Sequence, residues 1–382
     1  MNTKIMGYNF TEILTHFNIN SGVPEVKPFG SGHINDTFLV KTSAENGRDY
    51  LLQKINHFVF KNIEGLMNNM VYITNHLKKK TIEKGDPEKE VLTLVECDNG
   101  KYYYEDKQGN YWRMTYFLRD TQSYDLVTTG QQAYQGGVAF GRFQYLLCDL
   151  YPGVLVDVIP DFLNIEKRLN DLEKAIENDS AGRVKSVKHQ LEFLLSRADV
   201  MKEILVMGKA GVLPLRITHN DTKFNNILLD KNNNIQCVID LDTVMPGYVA
   251  YDFGDAIRSI INTAVEDEKD LDAIQLNIPL FSEFTKGYLS QTISFLTEQE
   301  LKSLMKGVML LPYMQAVRFL TDYLEGDVYY KIHFAKHNLQ RTLAQIQLLK
   351  MLELNKKELT DIVESEWLNL QNSLSTEQSA QL

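Results

Sequence analysis

The apolar and polar positions change rhythm about a third of the way along the chain. Before that point they read as strands: Val23 to Phe29, Asp36 to Thr42 and Arg48 to Ile55 show alternation or β-branched and aromatic residues, separated by the turn-forming stretches GSGHIN and SAENG. A helix is predicted over Ile63 to Lys80, where Leu66, Met70, Ile73 and Leu77 recur every three to four residues. Two further strands, Leu92 to Glu96 and Trp112 to Phe117, flank the turn-rich EDKQGN.

Beyond Gln131 the period becomes helical. Tyr134 to Leu147, Phe162 to Asn178, Lys185 to Met207, Glu298 to Leu311 and Gln340 to Lys357 each carry apolar residues at helix spacing, and the last is open to continuation past Asn355. The tail STEQSAQL is expected to fray. One stretch, 213 to 245, breaks the pattern: the runs Ile227-Leu228-Leu229 and Cys237-Val238-Ile239 bracket the turn DKNNN and predict a β-hairpin. The expected architecture is α+β and bilobal. A small antiparallel β lobe with one helix spans residues 1–118, a larger and mainly helical lobe spans 119–382, and Leu118 to Ser123 joins them.

Composition narrows the function classes. With 382 residues, 44% of them apolar, the chain has ample material for a core, and its net charge of −10 argues against nucleic acid or an anionic membrane as main partner. The run Lys78-Lys79-Lys80 reads as the solvated end of a helix. Cys97, Cys148 and Cys237 are widely spaced, which suggests neither a disulfide framework nor a zinc site and fits a reducing cytoplasm. The first residues lack a secretory pattern, and no uncharged apolar stretch reaches the ~18 residues that span a bilayer.

The chemistry concentrates in ITHNDTKFNNILLD, residues 217 to 230. Packed cores seldom hold so many polar groups unless each has a partner. His219-Asn220-Asp221 followed by Asn226 matches the H-x-D-x-x-x-x-N catalytic loop of the protein-kinase-like fold. Such a loop can aim Asp221 at an acceptor hydroxyl while Asn226, beside a strand, offers an amide oxygen to a metal. A second metal ligand is expected at the far end of the hairpin, where Asp240 stands nineteen residues after Asp221. The literal D-F-G at Asp252-Phe253-Gly254 comes too late, and Asp252 is expected instead to brace the loop. Asp242 either touches a metal or completes an acidic edge. Carboxylates at 221, 240 and 242 would repel a nucleoside triphosphate, so charge balance as well as motif implies ATP with Mg²⁺. In GSGHIN, Gly30 and Gly32 let backbone N–H groups approach phosphates. The third strand offers Gln53 and Lys54 on opposite faces for the phosphate clamp, with Glu64 available on the following helix.

Together GSGHINDTFLV, ITHNDTKFNNILLD, VIDLDTVMPGYVAYDFGDAIRS, AVEDEKDL and RFLTDYLEGDVYY resemble the N-acetylhexosamine 1-kinases, within the aminoglycoside phosphotransferase and choline kinase superfamily. The resemblance implies transfer of the γ-phosphate of ATP to the anomeric hydroxyl of N-acetylglucosamine or N-acetylgalactosamine. It implies Asp221 as catalytic base or hydroxyl-orienting residue, Asn226 and Asp240 as Mg²⁺ ligands, and Phe117, Leu118 and Arg119 as the hinge that meets adenine through backbone groups. His33, Arg318 and Tyr329 resemble sugar-contacting positions, with Asp221 and Asp240 facing the same substrate. From the residues alone, Arg318 and Asp322 could equally form a surface i, i+4 pair. Other readings are a kinase of another small molecule, such as an aminoglycoside, choline or a different sugar, and a catalytically dead nucleotide-binding scaffold. Neither monomer nor dimer is favoured.

Overall fold

The computed structural model describes residues 4–5, 7–19, 22, 24–30, 34–43, 47–83 and 85–380. Five antiparallel strands form its main sheet. They are β1 (Glu25–Pro28), β2 (Asp36–Lys41), β3 (Tyr50–Ile55), β4 (Tyr104–Glu105) and β5 (Tyr111–Tyr116), in the spatial order β1-β2-β3-β5-β4. Alternation along these strands sends side chains to two different cores. Leu52, Trp112 and Met114 face a short helix, α1 (Phe10–Thr15), and pack with Phe10, Ile13 and Phe38. Ile55, on the opposite face, joins Ile63, Leu66, Met67 and Met70 of α2 (Ile63–Thr81). The expected strand over 92–96 is only a bridge: Leu94 pairs with Thr115, while Tyr104 takes the rest of that edge opposite Trp112.

The remainder is mostly helical. The elements used below are α3 (Gly130–Leu147), α4 (Ile165–Asn178), α5 (Val249–Ile260), α6 (Ile278–Thr292), α7 (Glu298–Glu325), α8 (His337–Leu354) and α9 (Lys356–Ala380). Two expectations fail for physical reasons. The single helix expected over 185–207 is broken into short pieces, because Ser196 Oγ and the Arg197 guanidinium both bind the Phe193 carbonyl, at 2.9 and 3.1 Å, and compete with helix bonds. Conversely α7 runs straight through Pro312, where the sequence reading stopped it. A mid-helix proline costs about 3 kcal/mol. Val308, Leu310, Leu311, Tyr313, Met314, Val317 and Leu320 around it are all buried, and at about 1.5–3 kcal/mol for each large apolar side chain their burial outweighs that cost.

α5 lies against α7 at backbone contact. A Cβ on Gly307 would collide with the carbonyl oxygen of Ala250, and one on Gly254 with the carbonyl of Gly307. This close approach fixes α5 beneath the central loops. Those loops hang from two small ladders. β6 (Arg216–Thr218) pairs with β9 (Met245–Gly247), and β7 (Ile227–Leu229) pairs with β8 (Ile235–Val238), the hairpin expected from the sequence. Helix α2 is pinned to this region by buried Asn69, whose amide exchanges bonds of 2.9 and 3.0 Å with the backbone of Val156. Among the described residues no helix is long and apolar enough to cross a membrane.

Candidate active site

The loop between β6 and β7 is held from below by one carboxylate. Asp252, on α5 and 1% exposed, accepts the backbone N–H groups of His219 (2.8 Å) and Asn220 (2.7 Å) and the Gln144 side-chain amide (2.9 Å). The Thr222 hydroxyl also donates to its carbonyl at 2.6 Å. These bonds hold Asn220 in the left-handed region at φ 63°, which turns the chain sharply before Asp221. Burial still pushes the Asp252 carboxyl up, with the nearby donors working against that rise.

His219 is fully buried against Phe140 and Phe143. Its Nδ1 accepts from the Asp221 N–H at 3.3 Å, so Nε2 carries the proton and donates to the Ile239 carbonyl at 2.9 Å. The Ile239 N–H in turn donates to the Asn226 carbonyl at 2.9 Å. The residue before Asp240 is therefore stitched on both sides to the loop that carries Asp221 and Asn226. Asp240 itself adopts the left-handed conformation, φ 58°, at the end of β8.

The carboxylates differ sharply in electrostatic setting. Asp221 is one-quarter exposed, and burial alone would raise its pKa, but Lys223 Nζ at 3.2 Å from Oδ1 and the charge of Arg258 hold it below the usual carboxylate range. Asn226 donates from Nδ2 to the Asp221 carbonyl at 2.8 Å, which turns its amide oxygen the other way. Asp242 is 3% exposed and gripped by both terminal nitrogens of Arg113, with Asn35 Nδ2 adding a bond of 2.7 Å. Asp240 has no such donor among the described residues. Desolvation, then the charges of Asp242 and Asp221, push it up to about 6, although it keeps contact with solvent in the cleft. A carboxylate with no donor among the described residues, and an amide whose nitrogen is already committed to the Asp221 carbonyl, suit a hard cation that takes oxygen ligands. Among the described residues no group of three or more His, Cys, Asp or Glu side chains is placed to hold a metal ion.

The other expected positions divide. Gly30 has φ 76°, a conformation that favours glycine, while Gly32 and His33 lie outside the described residues. Asn35, just after them, reaches Asp242, so the end of this hairpin folds over the acidic loop. Gln53 faces the cleft side, but its amide is shared between the Arg113 Nε (2.9 Å) and the Thr37 hydroxyl (3.1 Å). Lys54 points to the opposite face, where Nζ bonds the Tyr8 hydroxyl at 2.7 Å, which removes it from a phosphate clamp. Glu64 is exposed and unavailable as its partner. In the hinge segment the Phe117 N–H is taken by the Asp49 carbonyl (2.9 Å), and the Arg119 guanidinium turns back to Asp49 (3.0 Å) and the Gly47 carbonyl (3.0 Å). The Leu118 carbonyl accepts from the Thr121 hydroxyl at 2.7 Å.

Around Arg318, the surface pair with Asp322 does not form. Asp322, 2% exposed, collects the backbone N–H groups of Val328, Tyr329 and Tyr330 at 2.8, 2.7 and 3.0 Å and shapes that loop. Arg318 instead bonds Gln315 (3.0 Å) and lies near the Phe162 and Tyr330 rings, while Tyr329 is 66% exposed beside Tyr330. Arg168 stands close by, its pKa lowered by burial and by Arg318. Glu266 is bound to Arg258 at 2.8 Å, and its charge adds to the effect of burial in raising the Tyr330 pKa.

This geometry has known relatives. A sequence profile of the phosphotransferase enzyme family matches residues 25–277, about two-thirds of the chain. The chain belongs to that family. Solved structures agree in fold. A microcompartment-associated aminopropanol kinase superposes with a TM-score of 0.63 at 15% identity, over 92% of this chain and 98% of that one. An amicoumacin kinase gives 0.59 at 15% identity, over 88% and 92%, and an ethanolamine kinase from Plasmodium vivax gives 0.51 at 15% identity, over 84% and 82%. The protein is thus a phosphotransferase-family chain with the bilobal kinase-like fold.

Seen as a phosphotransferase site, it contains residues that the sequence reading left without a role. Lys223 was visible in the loop motif two residues after Asp221. Arg258 and Glu266 were not, because their link to Asp221 depends on how α5 packs. Arg113 carried a signal: a charged residue in the middle of the apolar strand YWRMTY demands a buried partner.

Proposed function

We propose that the protein transfers the γ-phosphate of ATP, with Mg²⁺, to the anomeric C1 hydroxyl of an N-acetylhexosamine, either N-acetylglucosamine or N-acetylgalactosamine, in the cytoplasm. The observation that supports phosphotransfer is the stitching of Ile239 to both His219 and Asn226, which ties the backbone before Asp240 to the loop that carries Asp221 and Asn226. Asn226 and Asp240 would hold Mg²⁺, which supplies charge neutralisation at the phosphates when bound. Asp221 stays ionised at neutral pH under the influence of Lys223, so it is a weak base that accepts a hydrogen bond from the acceptor hydroxyl and aims it. Phosphoryl transfer through a loose transition state needs little more than such aim. Lys223, beside Asp221, is suited to the incoming phosphate charge. The glycine hairpin with Gly30, Gly32 and His33, and the hinge through Leu118, would complete the nucleotide and sugar sites.

The acceptor class rests on the resemblance of the RFLTDYLEGDVYY segment and on charge. Among the described residues no carboxylate is in direct contact with Arg318 or Arg168, and aromatic rings of Phe162 and Tyr330 flank Arg318. A cationic acceptor would be repelled there, whereas the hydroxyl oxygens of a neutral polyol can accept from the guanidinium groups while its flat face stacks on the rings. The aminopropanol and ethanolamine kinases of similar fold motivate the second reading, an amino-alcohol acceptor. The test is an ATP-consumption screen of sugars, amino alcohols and aminoglycosides, with ³¹P NMR of the product. A glycosyl phosphate from an N-acetylhexosamine is expected; turnover only with an amine overturns the sugar reading.

A further inference from the structure

Arg113 sits at the centre of β5, directly opposite Gln53 on β3, and is 2% exposed. Every direction of its guanidinium is used. Nε donates to Gln53 at 2.9 Å, one terminal nitrogen touches Met70 Sδ at 3.9 Å, and both terminal nitrogens grip Asp242. Asp242 belongs to the other side of the cleft, in the turn after Asp240. Its two oxygens receive Arg113 twice and Asn35 once, and Asn35 is itself fixed by the Asn56 N–H at 2.9 Å. Two carboxylates two residues apart therefore have opposite fates. Asp242 is saturated by protein donors, and Asp240 has none among the described residues.

From this we infer that Arg113 is a positioning residue for phosphoryl transfer: by clamping Asp242 across the cleft it keeps that carboxylate off the metal and fixes the turn that presents Asp240. Kinase-like sites ordinarily join their lobes through a strand-three lysine and a helix glutamate. Here Lys54 faces away, Glu64 is exposed, and the ionic tie comes from the neighbouring strand instead. Stability is a poor reason for such a pair, since apolar replacements of buried ion pairs are often neutral. Geometry is a better one. A planar fork that holds both carboxylate oxygens fixes direction as well as distance. The inference rests on the metal reading of Asn226 and Asp240 but not on the identity of the acceptor.

The test uses the full chain as Arg113→Met, Arg113→Lys and Arg113→Met with Asp242→Leu. Each is measured for melting temperature, for Mn²⁺ affinity in the presence of ADP by electron paramagnetic resonance, and for kcat and KM. Arg113→Met should melt lower, because it strands a buried carboxylate, and should bind Mn²⁺ about tenfold or more weakly, the scale of lost outer-sphere support. The double variant should recover the melting temperature without recovering Mn²⁺ affinity or kcat. Arg113→Lys keeps the charge but cannot grip both oxygens, and should fall between wild type and Arg113→Met. A double variant equal to wild type in all three readouts overturns the proposal, as does equal Mn²⁺ affinity across Arg113→Lys, Arg113→Met and wild type. Asp240→Ala separates the two claims. If it abolishes Mn²⁺ binding while the double variant behaves as wild type, only the role of Arg113 fails; if it leaves Mn²⁺ binding intact, the metal reading and the inference fall together.

Discussion

Replacing Asp252 and Asp240 in parallel separates a carboxylate that holds the loop from one that serves the chemistry. Asp252→Ala removes the acceptor for the His219 and Asn220 N–H groups and the Gln144 amide, all in a site from which solvent is excluded. Each stranded donor costs about 1–3 kcal/mol. Against that, the variant no longer keeps a carboxylate out of water, a cost that shows in the raised pKa of Asp252. The net loss should be about 2–4 kcal/mol. Asp240→Asn has the opposite sign. With its folded pKa near 6, above the usual carboxylate value, ionised Asp240 weakens the metal-free fold, and the effect must be discounted because the group meets solvent. The variant should equal wild type at low pH, where both states are protonated. It should then gain up to roughly 1 kcal/mol as pH rises from about 4, the unfolded value, to about 6, and hold that gain above it. Urea unfolding followed by circular dichroism, at pH 5 and pH 7.5 without metal, measures both effects, and phosphate transfer is assayed alongside. Asp252→Ala within about 0.5 kcal/mol of wild type would refute the bracing argument. So would a reversal in which Asp240→Asn unfolds readily while Asp252→Ala merely loses Mg²⁺ dependence.

Three further outcomes follow from the site. Asp221→Asn keeps the loop bonds made through backbone but loses the acceptor for the substrate hydroxyl, so kcat should fall by roughly 10²-fold or more while nucleotide affinity, read by calorimetry, stays within about threefold; near-normal turnover contradicts the role. Arg318→Ala should raise KM for the sugar about tenfold or more and leave KM for ATP nearly unchanged, and an equal rise in both removes it from the acceptor site. Because Mg²⁺ competes with a proton at Asp240, apparent Mg²⁺ affinity should be flat above about pH 7 and weaken as pH falls through about 6, by roughly tenfold per unit below it. Invariant Mg²⁺ affinity from pH 5 to 7.5 contradicts that assignment.

Local signals carried most of the fold where strands and helices are locally consistent. The alternation in Asp36–Lys41 and Tyr50–Ile55 matches the burial of alternate faces, and the hairpin around DKNNN forms where its apolar runs predicted. Errors arose where tertiary packing overrode a local rule. Pro312 should end a helix, yet burial on every side carries α7 past it. Helices α5 and α6 were missed, since glycines and aromatics blur the period in YDFGDAIRS and in residues 278–292, and these helices are ordered by contact rather than by propensity. Spacing alone singled out Asp221, Asn226 and Asp240 as candidates, and Asp252 does hold the loop that carries the first two. Spacing could not show that Asp242 belongs to Arg113, or that Asp322 serves the 328–330 backbone instead of Arg318, because those partners lie far apart in sequence and meet only in the folded chain.

The account depends on Asn226 and Asp240 sharing one divalent ion within reach of Asp221. Crystals soaked with Mn²⁺ and a non-hydrolysable ATP analogue, with anomalous scattering collected at the manganese edge, examine this directly. A peak within about 2.2 Å of oxygens from both Asn226 and Asp240, with Asp242 still bound to Arg113, is the predicted result. A peak on Asp242, or manganese held by Asp252 of the literal D-F-G, would contradict it.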